Sequence, residues 1–237
     1  MAADQVLLDA VDQDPSTAVI RTYEWSEPTL SLGYFQSYSE LQSDSRWQGV
    51  HVVRRPSGGG ALWHHHELTY SVVVPRSLPD AQKPANLYRL IHESLADWLR
   101  AKQFAASRRH LQHDSGQDSP SRAGDRPFLC FLDQDPEDVV IGNSKVIGSA
   151  QRRRPAAVLQ HGAILRARSE RTPELPGLTD LGTVAGSLES WIHDVPLTLA
   201  RALGLELSEE TWTDELQAAI HKAMDTQFTC KEWTQKR

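Results

Sequence analysis

The segment RRPSGGGALWHHHELTYS at residues 54–71 constrains this chain more than any other, because three consecutive glycines sit between two apolar runs. HVVRR at 51–55 reads as a strand that Pro56, Ser57 and the glycines at 58–60 cannot continue. ELTYSVVV at 67–74 reads as the next strand, ended by Pro75. Glycine leaves the backbone N–H uncovered and permits positive φ, so Gly58, Gly59 and Gly60 can curl their donors toward one point. Such a turn suits a phosphate, a carboxylate or a thioester carbonyl, and Arg54 and Arg55 bring charge to the same place. The spacing is neither that of a P-loop nor that of the Gly-x-Gly-x-x-Gly turn that opens a dinucleotide-binding helix. By itself, a run of glycines describes a flexible turn equally well. Strand alternation through the following His64, His65 and His66 puts the first and third on one face. No third ligand is evident, so no metal is expected.

The surrounding pattern predicts a helix over 2–13 and strands over 18–25 and 29–35, with Gly33 marking a bend or a close backbone approach. Residues 84–102 give the clearest helix, with Leu87, Leu90, Ile91, Leu95, Trp98 and Leu99 on one face. Residues 107–127 are polar and rich in Gly, Pro and Ser, and read as a mobile loop. A β-hairpin over 138–151 turns at Gly142-Asn143, and a strand over 156–167 follows. Two or three helices close the chain, the last near 211–224, where Thr211 and Asp214 fit a capping box. Strands cluster centrally with helices at both ends, which favours an α+β fold over a parallel alternating one. The 237 residues, 39% of them hydrophobic, suffice for a single catalytic domain spanning 1–237.

Composition excludes several roles. No apolar run is long enough to cross a membrane, and the N-terminus carries acid where a secretion signal carries base. The expected location is cytoplasmic. Two cysteines, Cys130 and Cys230, make a poor disulfide framework. A net charge of −6 argues against nucleic-acid binding. The local basic clusters, above all Arg152, Arg153 and Arg154, suit docking of an acidic protein.

Three ordered segments together resemble the lipoate–protein ligase A and octanoyltransferase family. The first is the glycine segment, through Arg54, Arg55, Gly58, Gly59, Gly60, His64, Leu68, Tyr70 and Ser71. The second is YEWSEPTLSLGYFQ, through Trp25, Pro28, Ser31, Gly33 and Gln36. The third is NSKVIGSAQRRRPAAVLQHGAIL, through Lys145, Gly148, Ser149, Ala150, Gln151, Gln160, His161 and Gly162. The resemblance implies the α+β catalytic domain of biotinyl and lipoyl protein ligases: a mixed, largely antiparallel sheet flanked by helices, with a tunnel for the acyl chain. It implies that Lys145 and the turn at 57–60 surround the acyl carbonyl. No C-terminal accessory domain is expected.

Within that family the resemblance is nearest to the cysteine-dependent octanoyltransferases, because Cys130 lies fifteen residues ahead of Lys145. The segment after it, LDQDPEDVVIGNSK, departs from the usual Pro-Ser-x-Tyr-Glu. The implied reaction takes an octanoyl or lipoyl group from acyl carrier protein through a Cys130 thioester to a lysine of a lipoyl domain, such as the glycine cleavage H protein or a dehydrogenase E2. Transfer of this kind needs no cofactor beyond the octanoyl or lipoyl substrate. The alternatives are an ATP- and Mg-dependent lipoate ligase and a non-catalytic binding relative. A thiolate attacks a thioester readily and leaves readily toward an amine, with Lys145 or His161 assisting its formation.

Overall fold

The computed structural model describes residues 1–109, 127–133, 135–182 and 188–237. Helix α1 spans Ala2–Gln13, and strands β1 and β2 span Val19–Tyr23 and Thr29–Leu32. A short helix α2, Tyr38–Gln42, leads to β3, His51–Arg54, then β4, Leu62–His64, and β5, Glu67–Pro75. Helix α3 spans Pro84–Ala101, with Pro84 in the first turn, where its missing N–H costs nothing. Strands β6, β7, β8 and β9 follow at Ala106–Arg108, Val139–Ile141, Ser144–Arg153 and Ala157–Leu165. Helices α4 to α7 are Leu178–Leu181, Trp191–Leu203, Asp214–Ala223 and Lys231–Thr234.

Six strands form a wholly antiparallel sheet in the order β1-β5-β9-β8-β7-β6. A second sheet of three runs β3-β2-β4, with β2 parallel to β3 and antiparallel to β4. The interior strand β5 is buried along its whole length, its polar Glu67, Thr69 and Ser71 included. Alternation sorts its residues. Leu68, Tyr70, Val72 and Val74 join Leu87, Ile91, Leu95 and Leu99 of α3 and Trp191, Val195 and Leu199 of α5 in one core. Val73 faces Leu7, Leu8 and Val11 of α1. Each fully buried aliphatic side chain contributes about 1.5–3 kcal/mol, so α3 and α5 together fix one face of the sheet. The other face carries Ala163 and Leu165 against Leu30, Leu32, Trp47 and Trp63 of the smaller sheet's side.

Several expectations shift in detail. Strand β2 ends at Leu32 because Gly33 packs on the glycine turn: a Cβ there would fall 1.9 Å from the Gly59 carbonyl oxygen. The histidine tract is no strand. His64 ends β4, and His65 and His66 form the crossing to β5, stacked on each other at 3.6 Å. Leu90 is only half-buried, whereas His92 and Ala96 of α3 are fully buried. The segment expected to be a loop from residue 107 begins as β6, and residues 110–126 lie outside the described residues. The helix expected to be the last is α6, capped by Thr213, whose side chain accepts from the Leu216 N–H, and not by Thr211; α7 follows it. No helix is long and apolar enough to cross a membrane among the described residues.

Candidate active site

A cleft between the two sheets brings together most of the residues singled out in the sequence. Arg55, Gly59, His64, Cys130, Lys145, Gly148, Ser149, Ala150, His161 and Gly162 line it, as do Ser31, Leu62, Thr69 and Phe131. The glycine turn is pinned from behind. The buried Arg55 guanidinium donates to the Gly58 carbonyl at 2.9 Å and the Gly60 carbonyl at 2.5 Å. With those carbonyls held, the N–H groups of Gly58, Gly59 and Gly60 donate to no other group among the described residues. Uncommitted among the described residues, they suit an incoming acceptor.

Arg55 is in turn placed by a buried chain. It donates to Ser31 Oγ at 3.2 Å, and His64 Nε2 lies 2.8 Å from the same oxygen. His64 Nδ1 lies 2.7 Å from Glu67 Oε1, a pure acceptor, so Nδ1 carries the proton and Nε2 accepts from Ser31. Burial pushes His64 below its ordinary value, against the pull of Glu67. Trp25 stacks on His64 at 3.9 Å and closes the chain from the far side. His64 therefore braces the turn through Ser31 and Arg55.

Cys130 sits against that turn. Its N–H donates to the Ala61 carbonyl at 2.8 Å, and Ala61 donates to the Phe128 carbonyl at 2.7 Å. Gly60 permits the approach: a Cβ there would lie 2.9 Å from the Phe128 oxygen and 3.0 Å from the Cys130 nitrogen, both backbone atoms that cannot yield. Lys145 arrives from β8 on the opposite side, its Nζ 2.9 Å from the Cys130 carbonyl oxygen. The same Nζ lies 2.7 Å from Asp138 Oδ2, in a pair whose side chains are 10% and 1% exposed. Burial pushes the Cys130 thiol up, while the positive charges of Lys145 and Arg55 pull it back toward the thiolate. Sulfur, ammonium and glycine turn thus meet at one cleft.

His161 lies across the cleft with Nε2 2.5 Å from Ser57 Oγ and Nδ1 3.5 Å from Asp4 Oδ2. Burial alone would raise the Asp4 carboxyl. Its cationic neighbours outweigh that and hold it well below the usual carboxylate range. Asp4 also accepts from Arg21 at 2.8 Å and from the Tyr23 hydroxyl at 3.1 Å. Behind the cleft, His92 of α3 meets the Glu137 carbonyl at 2.7 Å through Nδ1, so its Nε2 accepts from Ser149 Oγ at 2.8 Å. Gln160 donates to that hydroxyl at 2.9 Å. Burial pushes His92 down to about 3, so it stays neutral.

Five expected site residues are not among those lining the cleft: Ser57 meets it through His161, Gly58 and Gly60 belong to the turn that Arg55 holds by its carbonyls, and Arg54 and Gln160 are engaged elsewhere. Arg54 does not line the cleft: its guanidinium donates to the Gly33 carbonyl at 2.7 Å, the Gln36 carbonyl at 2.8 Å and the Thr234 carbonyl at 3.0 Å. Gln160 stands behind Ser149, on the helix side of the sheet. The basic run at the end of β8 is also committed to the protein itself. Arg154 pairs with Asp9 at 2.9 Å, Arg153 donates to the Ala81 carbonyl at 2.7 Å, and Arg152 lies over the Tyr34 ring at 5.6 Å. Sequence reasoning named Ser31 only as a motif position, without a role, and missed Asp4 and Asp138. Asp138 had a signal, as an acid at the start of the hairpin that carries Lys145. Among the described residues no cluster of three His, Cys, Asp or Glu side chains converges as a metal site would require.

A two-sheet fold with this cleft defines the class: the protein is an enzyme of the octanoyltransferase and lipoate–protein ligase type. The chain belongs to the lipoyl protein ligase A/B catalytic domain family, whose model matches residues 1–170. It is 30% identical to an octanoyltransferase LipM of Lysinibacillus sphaericus, over 100% of this chain and 94% of that protein. It is 31% identical to the octanoyltransferase LipM of Kyrpidia tusciae, again over 100% of this chain and 94% of that one. A putative lipoate protein ligase from T. acidophilum shares the fold with a TM-score of 0.77, at 21% identity over 100% of this chain and 92% of that one.

Proposed function

We propose that this enzyme transfers an octanoyl group from acyl carrier protein, through a thioester on Cys130, to a lysine of a lipoyl domain, as one catalytic domain acting in the cytoplasm. The observation that carries this reading is that Cys130, Lys145 and Gly59 of the glycine turn line one cleft, with the Lys145 Nζ 2.9 Å from the Cys130 carbonyl oxygen. The names of the LipM relatives support octanoyl as the transferred group. A T. acidophilum relative of the same fold has bound lipoic acid, and a bi-partite ligase from that organism was studied with its E2 lipoyl domain, which supports the acyl class and the acceptor class.

In the first half, the Cys130 thiolate attacks the donor thioester carbonyl. A carbon–sulfur bond forms, the donor thiolate leaves, and it takes the proton that Cys130 gave up. In the second half, the acceptor lysine attacks as the free amine, having lost its first proton to solvent. The carbon–nitrogen bond forms, the bond to Cys130 breaks, and the second amine proton returns to the sulfur. Each tetrahedral oxyanion lies within the reach of the glycine N–H groups and of Lys145, and such donors in a dry site each give about 10²–10³ in rate. Burial favours the neutral thiol, and the charges of Lys145 and Arg55 favour the thiolate that attacks. No ATP enters these steps, because the carrier thioester is already activated.

The test uses octanoyl carrier protein followed by a lipoyl domain, with and without ATP and Mg. Intact mass should show one octanoyl group on Cys130 before the acceptor is added, and none after. Cys130→Ala should abolish both signals. Transfer that persists in this variant, or that needs ATP, would overturn the proposal.

A further inference from the structure

Lys145 is saturated. Its Nζ lies 2.7 Å from Asp138 Oδ2, 2.9 Å from the Cys130 carbonyl oxygen and 3.4 Å from the Asp133 carbonyl oxygen. An ammonium has three N–H donors and no acceptor, and three acceptors surround this one. The two carbonyls are fixed backbone dipoles of the loop that carries Cys130. Asp138 supplies the only charge among the three, and it comes from a different place, the residue immediately before β7.

Asp138 is itself held rigidly. Its Oδ2 accepts from the Asp135 N–H at 2.8 Å, and its Oδ1 accepts from the Tyr88 hydroxyl of α3 at 3.2 Å. The single Tyr88 hydroxyl proton is shared between that oxygen and the Ser149 carbonyl, 3.1 Å away, which sets the carboxylate beside β8. Gly148 leaves the lane open: a Cβ there would fall 2.5 Å from Lys145 Cε and 3.6 Å from Asp138 Oδ1. The other titratable groups around the pair are accounted for. His92 is neutral and turned to Glu137 and Ser149, Glu137 is paired with Arg108 at 2.6 Å, and Asp135 offers its N–H. Arg55 and Cys130 stand on the cleft side.

We propose that Asp138 is the positioning residue of the transfer reaction, holding Lys145 as an ammonium aimed along the cleft beside Cys130 and acting only through it. The weakest of the three contacts, to the Asp133 carbonyl, is the one given up when the acyl oxygen arrives. Asp138 then keeps both charge and direction in place. The inference rests on the acyl-transfer reading above, and it deepens that reading by naming the group that makes Lys145 competent.

The experiment compares wild type with Asp138→Asn, Asp138→Glu, Lys145→Ala and the Asp138→Asn/Lys145→Ala pair. The first readout needs no substrate. Competitive acetylation at one pH, read by peptide mass spectrometry, should show the Lys145 labelling point, the reagent dose at half-modification, moving to a dose about tenfold lower in Asp138→Asn, because Nζ loses its charged acceptor. The second readout is octanoyl transfer. Asp138→Asn should lose about 100-fold, Asp138→Glu should recover most of it, and the double variant should match Lys145→Ala within about threefold. An unmoved labelling point, or a double variant that loses a further factor equal to that of Asp138→Asn alone, would overturn the proposal. If Asp138→Asn fails to fold, the double variant, which carries no unpaired buried charge, and Asp138→Glu still decide it. If wild type transfers nothing while the labelling point moves, the acyl-transfer reading has failed and the pairing stands.

Discussion

At Lys145 and His92 a few ångströms decide chemistry. Gly148→Ala places a methyl 2.5 Å from Lys145 Cε, and the side chain rather than the strand must move. Misplacing a catalytic group by about 1 Å costs on the order of 100-fold, so the transfer rate should fall by about 10–100-fold while the melting temperature stays within a few degrees. A rate equal to wild type would show that Lys145 does not need its observed place. His92 predicts the pH dependence of stability. Its folded pKa is about 3, against roughly 6.5 for an unfolded histidine. Between those values the unfolded chain takes up a proton that the native one refuses. Stability is therefore full above about pH 6.5 and falls as pH drops toward 3. His92→Gln can still donate to Glu137 and accept from Ser149 without titrating. Urea denaturation from pH 4 to 8 should show a shallower acid slope in that variant, by up to a few kcal/mol at pH 4.

Helix α5 shows how one element's flaw is answered by another. Pro196 lies inside α5, so it offers no N–H to the Ile192 carbonyl one turn earlier. Thr22 of β1 fills the gap, its hydroxyl donating to that carbonyl at 2.7 Å. Thr22→Val should therefore cost about 1–2 kcal/mol by leaving the carbonyl without a partner. In a Pro196→Ala background, where the helix supplies its own N–H, the same substitution should cost distinctly less. Equal costs in the two backgrounds, measured by chemical denaturation, would show that the two groups are not coupled. The hairpin of β7 and β8 behaves as its sequence predicts, turning at Gly142 with φ 55°. Its role as the carrier of Lys145 depends on the loop that approaches it from Cys130.

At the scale of the whole molecule, Arg54 joins distant parts of the chain. Besides its contacts to the 33–36 turn and Thr234, its carbonyl accepts from Trp233 Nε1 at 2.8 Å. Lysine lacks the planar fork that reaches three carbonyls at once. Arg54→Lys should cost about 1–3 kcal/mol and expose the segment after residue 224 to limited proteolysis, followed by mass spectrometry. Unchanged cleavage kinetics would contradict the clamp. Much of the architecture was legible along the chain, because strand alternation, helical spacing, proline stops and the glycine turn act between near neighbours. These gave α1, α3, β5 and the β7–β8 hairpin, and the three motif segments marked the cleft. Burial and pairing across the fold are another matter. Only the folded chain decides that Arg54 is a clamp while adjacent Arg55 braces the glycine turn, because Arg54 ends β3 and Arg55 opens the turn, and their side chains meet different surroundings. Only it brings Asp4 to His161 and Asp138 to Lys145, since no local rule sets which carboxylate a buried cation meets when sheets and helices close over it.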